Sequence, residues 1–332
     1  MKNKKNWQKS GGLSGLVIAS MLTVGVFCPP SSFAQVPARF YWKTLSDTNA
    51  VPLIVESLSG NTNPFDPAHT VTPDADFNAT LTIAGYGRTF SLFDRAAMAA
   101  VFMPMGRLSG DVTVAGRTSS ESVEGFGDPM LEFDINIIGP AAQKNIPDLL
   151  RYEPGFSVDL LVDLALPIGE YDADQPLNIG QNRWYGRMGM PIIWQFGAWV
   201  PSKRTTLEFL PAVWLFGDND DRGGKTMETD PLFQLDAHLT RDFTESFWGS
   251  LDATMYNGGK ATIEDVTGEK LSNVGMGFTL GYGVNENLNL TFSYKSSLND
   301  ADPGDLRMDV FMVTLVYGWH PLIQGFQRLK NE

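Results

Sequence analysis

Apolar and polar residues alternate along most of the chain. In "FSVDLLVDLAL", Phe156, Val158, Leu160, Val162, Leu164 and Leu166 share one face, and Ser157, Asp159, Leu161, Asp163 and Ala165 share the other. A period of two is the signature of a β-strand, whose successive side chains leave on opposite sides. The same pattern sets Phe233, Leu235, Ala237 and Leu239 against Gln234, Asp236, His238 and Thr240. It recurs in "NVGMGFTLGYGV" (273–284) and "LNLTFSYK" (288–295). Twelve strands are predicted, over 49–59, 76–91, 96–106, 127–138, 155–167, 183–197, 203–216, 230–242, 247–257, 271–284, 287–297 and 307–319. Most have the roughly 9–11 residues that a tilted strand needs to cross an outer membrane.

The connections alternate in length. "FDRA" (93–96), "AWVPSK" (198–203), "DFTES" (242–246) and "VNEN" (284–287) are short. Segments 60–75, 107–126, 168–182, 217–229, 258–270 and 298–306 are long. The connection 139–154 departs from the alternation, with a small helix expected around "IPDLLR". An even strand number, short periplasmic turns and long extracellular loops define outer-membrane barrels. Twelve strands place both termini on the periplasmic side. The expectation is therefore an all-β, antiparallel transmembrane outer-membrane β-barrel. Aromatic pairs near strand ends, such as Trp194 with Phe196 and Tyr317 with Trp319, suit interfacial girdles. The competing reading is a soluble β-sandwich or barrel, in which the apolar face points inward.

If the continuous apolar face meets lipid, the other face lines the lumen. That places Glu132, Asp134, Asp159, Asp163, Arg187, Asp236, His238, Asp252 and Lys295 inside. The alternative is costly: about 2–4 kcal/mol for an Arg or Lys on the lipid face at mid-depth, and less for Asp or Glu. Leu161, Ile193, Leu210, Trp214, Val310, Met312 and Val316 share the inward register. A mixed interior suits a packed lumen or a narrow path for an apolar or amphipathic solute better than a wide, porin-like pore.

The N-terminus reads as a secretory signal peptide. Lys2, Lys4, Lys5 and Lys9 precede the apolar run 13–27, and Ser32 and Ala34 mark a cut before Gln35. Removing 1–34 takes away the chain's one Cys, Cys28, and leaves 21 basic against 38 acidic residues, a net charge of −17. Disulfide chemistry is excluded, and nucleic-acid binding, which needs a basic footprint, is disfavoured. No cofactor is expected. The expected division is signal peptide 1–34, N-terminal periplasmic segment 35–48, barrel 49–319 and C-terminal periplasmic extension 320–332.

Little in the sequence points to catalysis. The three histidines are His69 in a long loop, His238 in a strand and His320 after the last strand. No serine is marked as a partner for His238, so no enzyme is expected and no catalytic or metal-binding residue is assigned. The stretch "LFGDNDDRGG" (215–224) has carboxylates at calcium-loop positions 1 and 3, but Arg222 and Thr229 stand where an oxygen ligand and a bidentate Glu are required. Asp218, Asp220, Asp221 and Arg222 are read as an exposed extracellular loop.

"GFGDPMLEFDINIIG" (125–139), "LALPIGEYDADQPLNIGQNRW" (164–184), "WLFGDNDDRGG" (214–224) and "GYGVNENLNLTFSY" (281–294) follow in order. In this set the chain resembles the outer-membrane transporter family assigned to the meta pathway of phenol degradation, over about residues 38–319. The resemblance implies an outer-membrane barrel that mediates passive passage of small, hydrophobic or aromatic molecules. Its partners would be outer-membrane lipid, the solute and the barrel-assembly machinery. The resemblance supplies no catalytic residues. Barrel chains tend to close on an aromatic insertion signal, for which Tyr317 and Trp319 qualify, yet Thr314 replaces the Gly of that signal and 13 residues follow Trp319. The alternatives are a closed structural or surface-interaction barrel and an outer-membrane lipase-type enzyme.

Overall fold

The computed structural model describes residues 36–114, 117–299, 302 and 304–331. The leader 1–34 and its cut lie outside the described residues. The first half contains β1 (Asn49–Gly60), β2 (Ala75–Leu92), β3 (Arg95–Val114), β4 (Arg117–Phe126), β5 (Met130–Ile138), the helix α1 (Ile146–Arg151), β6 (Phe156–Ala165), β7 (Tyr185–Gly189) and β8 (Ile192–Phe196). The second contains β9 (Thr205–Phe216), β10 (Met227–Thr229), β11 (Leu232–Asp242), β12 (Phe247–Gly258), β13 (Ala261–Ile263), β14 (Val266–Thr267), β15 (Leu271–Gly283), β16 (Leu288–Ser297), β17 (Met308–Trp319) and the helix α2 (Pro321–Asn331).

Twelve of these segments, counting β7 and β8 as one strand, close into an antiparallel barrel. Each pairs with its neighbour in the chain, and β1 pairs with β17 from Asn49↔Trp319 to Gly60↔Met308. Closure leaves no unpaired sheet edge, which a membrane interior would not tolerate. Short turns lie at the periplasmic rim, and the long loops lie opposite. The helix at "IPDLLR" is present, capped by the Asn145 side chain on the Asp148 amide.

The wall follows the two-residue period. Leu53, Val101, Leu160, Val213, Leu280 and Val313 face outward, each roughly two-fifths exposed, while polar residues of the opposite parity are buried inside. Apolar surface thus meets lipid, and the charges meet one another.

Three features depart from the sequence expectation. The strand 183–197 is interrupted at Met190–Pro191, because proline has no N–H to donate to the ladder. The register carries across the gap, from Gly189↔Ala212 to Ile192↔Phe209. The Met190 amide donates to Pro211 O (3.0 Å), and Pro191 O accepts from the Asp159 amide (2.8 Å). Next, the segment 107–126 is not an open loop: β3 extends past the barrel rim and pairs with β4 from Met105↔Phe126 to Val114↔Arg117. Its Ser, Thr and charged residues conceal a strand that is polar on both faces. Finally, the segment 35–48, expected as an N-terminal periplasmic segment, is packed. Ten of residues 36–46 are buried, and they lie inside the barrel against its inner wall.

Candidate functional site

The candidate site is the barrel interior and the segment that fills its periplasmic end. Arg39 donates from Nη1 to Asp242 Oδ1 (2.6 Å) and from Nε to Thr240 Oγ1 (3.2 Å), and its backbone N–H donates to Glu208 Oε2 (2.8 Å). Its guanidinium lies 4.2 Å from the ring centres of both Trp42 and Trp248. Trp248 fits because Gly281, on the next strand, has no Cβ to obstruct the indole. Trp42 Nε1 donates to Glu208 Oε1 (2.7 Å), and Arg204 holds the other Asp242 oxygen (2.7 Å). Lys43 pairs with Asp159 and with Asp134 (3.3 Å). His320, just past β17, bonds through Nε2 to Ser46 O (2.7 Å). Cations on the segment thus meet carboxylates on the wall, in a buried setting where both cation–π and charge-assisted bonds are strong.

At mid-depth, Arg187 Nε donates to Asp163 Oδ2 (2.6 Å), with Glu132 at 4.0 Å, and both members of the close pair are fully buried. The Arg187 guanidinium lies 5.1 Å from the centre of the Trp214 ring. Across the lumen, His238 Nδ1 and Asp252 Oδ1 are 2.7 Å apart, and Ser250 and Thr279 donate to the same carboxylate. Thr254 and Gln234 donate to Asp236. All nine residues assigned inward by parity are buried in the barrel. Sequence reasoning missed Glu56, Glu208 and Asp242. Glu208 shares the parity of Leu210 and Trp214, so the same rule could have found it. The aperiodic segment 36–46 carries no such signal.

A lipase-type site would need a serine at the free nitrogen of His238. Nε2 has no hydrogen-bond partner among the described residues, and Ser250 bonds to Asp252 instead.

At the extracellular end the loops are tied to one another. Asp128 accepts the Gly169 and Gln181 amides (2.8 Å each), joining the "GFGD" motif to the 164–184 motif. Arg183 bonds to Asp66 (3.1 Å) and Thr229 (2.6 Å). Burial pushes the Asp66 carboxyl up, but Arg183 and hydrogen bonds from Thr70 and Ala68 outweigh it and hold the carboxyl below its usual value. In the acidic loop, Asp218, Asp220, Asp221 and Arg222 are exposed. The organising residue is buried Asn219, which donates to Tyr171 Oη (3.0 Å) and Gln181 O (3.1 Å).

His69 lies fully buried among these loops, its ring 4.8 Å from that of Tyr256. Burial lowers its pKa to about 4, against the opposing pull of Asp66 and Asp236. The folded loop therefore prefers the neutral ring. Its stability is complete above the unfolded value near 6.5 and declines as pH falls from there towards 4. The hydrogen-exchange protection factors of residues 61–74, taken against the intrinsic exchange rate at each pH, are expected to fall over that window in the native chain, and the His69-dependent part of that fall to vanish in H69F. An identical pH profile in both proteins would contradict this.

A closed twelve-stranded barrel with an apolar exterior, a charged interior and a chain segment lodged in its lumen is an outer-membrane-type β-barrel. The chain belongs to the family described as "Putative MetA-pathway of phenol degradation", whose model matches residues 60–306. An outer membrane channel from Pseudomonas putida F1 has a similar fold at 18% identity, with a TM-score of 0.68 over 86% of this chain and 99% of that one. The transport unit of the autotransporter AIDA-I from Escherichia coli aligns at 9% identity and a TM-score of 0.47, over 92% and 97% of the two chains. The β domain of the Bordetella autotransporter BrkA aligns at 12% and 0.47, over 82% and 100%. No curated protein matches in sequence.

Proposed function

We propose that this barrel mediates passive passage of small, hydrophobic or aromatic molecules across a Gram-negative outer membrane. The observation that carries the reading is a lumen lined by both apolar and charged groups. On β17, β1 and β2 the inner wall is largely apolar, with Met308, Val310, Met312, Ile54, Leu58, Phe77, Leu81 and Ile83 in one buried cluster, interrupted by Glu56. β5–β7, β9, β11 and β12 add buried charged and hydrogen-bonded residues, together with Tyr185, Trp214, Leu232 and Tyr256, which join the same apolar cluster. An apolar solute with a polar end finds both surfaces within one lumen, whereas a hydrophilic pore would be polar all round. In this reading Glu132, Asp134, Asp159, Asp163, Arg187, Asp236, His238, Asp252 and Lys295 shape the field along the path. The segment 36–46 blocks the periplasmic end and must shift for passage. The leader 1–34 is removed at Ala34, the barrel-assembly machinery inserts the chain, and 320–332 remains periplasmic.

The test is uptake into liposomes holding the refolded protein, with phenol and toluene as solutes and arabinose and sucrose as controls. Saturable passage of the aromatics, several-fold above protein-free vesicles and without matching sugar flux, is expected. Equal flux of sugars would indicate a general pore. No flux of either, from inserted protein, would favour a closed structural barrel.

A further inference from the structure

The chain is acidic as a whole, yet no carboxylate occurs from Val310 to Asn331. That stretch runs along β17 and into the helix α2 (Pro321–Asn331). A helical period of about 3.6 residues sets Leu322, Phe326 and Leu329 on one face, with Gln324, Gln327 and Arg328 opposite and Lys330 on the flank. Leu322 is 49% exposed, and Arg328 is exposed. A helix lying across the barrel mouth would bury its apolar face, whereas this one leaves Leu322 half open.

The start of the helix is fixed. His320 bonds through Nε2 to Ser46 O (2.7 Å), and its Nδ1 accepts the Leu322 amide (3.1 Å). The Ile323 and Gln324 amides both donate to His320 O (3.1 Å each). One residue earlier, Trp319 belongs to an outward aromatic group, its ring centre 5.9 Å from that of Tyr317 and 6.4 Å from that of Tyr86. Tyr86 and Tyr317 are exposed on the lipid side of the wall. Asn287, in the short turn 284–287, donates to Gly318 O (2.6 Å), so this end of β17 lies at the rim of the short turns. Aromatic side chains in such positions settle at the level of the lipid headgroups, and α2 leaves the wall at that depth.

We infer that α2 lies in the plane of the periplasmic leaflet, with its apolar face among the acyl chains and Arg328 and Lys330 among anionic phospholipid headgroups. A basic amphipathic helix of low net hydrophobicity is of the interfacial kind, held by buried apolar area and by attraction to anionic lipid. Two features select lipid over a protein partner. The face continues the lipid-facing girdle of Tyr317 and Trp319, and the charge is two cations in a helix free of carboxylates. The inference is independent of what passes through the lumen.

Cys28 is the chain's one cysteine, so on a C28S background L322C and Q324C each carry a single nitroxide label. The refolded full chain is placed in symmetric vesicles of phosphatidylcholine, with or without phosphatidylglycerol, and collision with oxygen and with a nickel chelate measures the depth of the label. In phosphatidylglycerol vesicles the oxygen-to-nickel ratio at 322 is expected to be several-fold that at 324. R328Q/K330Q should lower the ratio of immersed to free helix by roughly fivefold for each position, and R328K/K330R should preserve it. Heat-modifiable gel mobility verifies that each variant is folded. Equal depth at 322 and 324 in phosphatidylglycerol vesicles overturns the inference. So does immersion that is the same in phosphatidylcholine alone and unchanged in R328Q/K330Q. A label at 322 shielded from both reagents would show that protein, the barrel rim or a second copy of the chain, covers the face, and would overturn it as well.

Discussion

Deleting residues 36–46 should convert a nearly silent barrel into a conducting one. In planar bilayers, single-channel conductance is expected to rise on the order of tenfold or more, since a barrel conducts only where its lumen is not filled by side chains. The reasoning is geometric. The segment is buried in the periplasmic half of the lumen and is held there by the contacts of Arg39, Trp42 and Lys43 with Asp242, Glu208, Asp134 and Asp159. None of these contacts is covalent or belongs to the wall, and β1 begins at Asn49. The β1–β17 seam therefore survives the deletion. R39A should give an intermediate result, with frequent openings, because it removes the Asp242 ion pair and the stack between two indoles together. Unchanged conductance in a folded, inserted deletion variant would mean that the closure lies elsewhere, among loops 61–74 and 166–184.

Replacing Asp163 by Leu should destabilise the barrel by about 3–5 kcal/mol, the cost of leaving a buried cation without its partner. Arg187 is fully buried and donates at 2.6 Å to Asp163, with Glu132 no nearer than 4.0 Å. The natural comparison is Arg88, whose 2.8 Å pair with Asp47 is more than half exposed on both sides. R88A is expected to leave stability unchanged within measurement, because water solvates both partners. Urea unfolding of vesicle-inserted protein, followed by tryptophan fluorescence, measures both. Similar midpoints for D163L and R88A would show that the mid-barrel pair contributes nothing specific. The double variant D163L/R187L should recover most of the loss, since breaking a buried pair is worse than removing it.

The acidic loop is a smaller matter than its composition suggests. Its carboxylates are exposed, while Asn219 ties the loop to Tyr171 and Gln181. A motif dense in charge attracts attention, but the buried amide fixes the shape, because an unsatisfied polar group costs more when buried than when wet.

The sequence by itself determined the strands, their parity and the inward assignment of the charged residues from Glu132 to Lys295. Each is a local consequence of the two-residue period and of a solvent that will not accept charge. It also determined the alternation of turns and loops. Only the tertiary structure decided what the interior does. That Arg39 would meet Asp242, 203 positions away, or Lys43 meet Asp159, 116 positions away, depends on barrel closure and on an aperiodic segment turning inward. The gathering of Tyr185, Trp214 and Tyr256 with Ile54 and Met308 in one buried cluster has the same origin. Parity says which residues face inward, but closure and register decide which of them face one another.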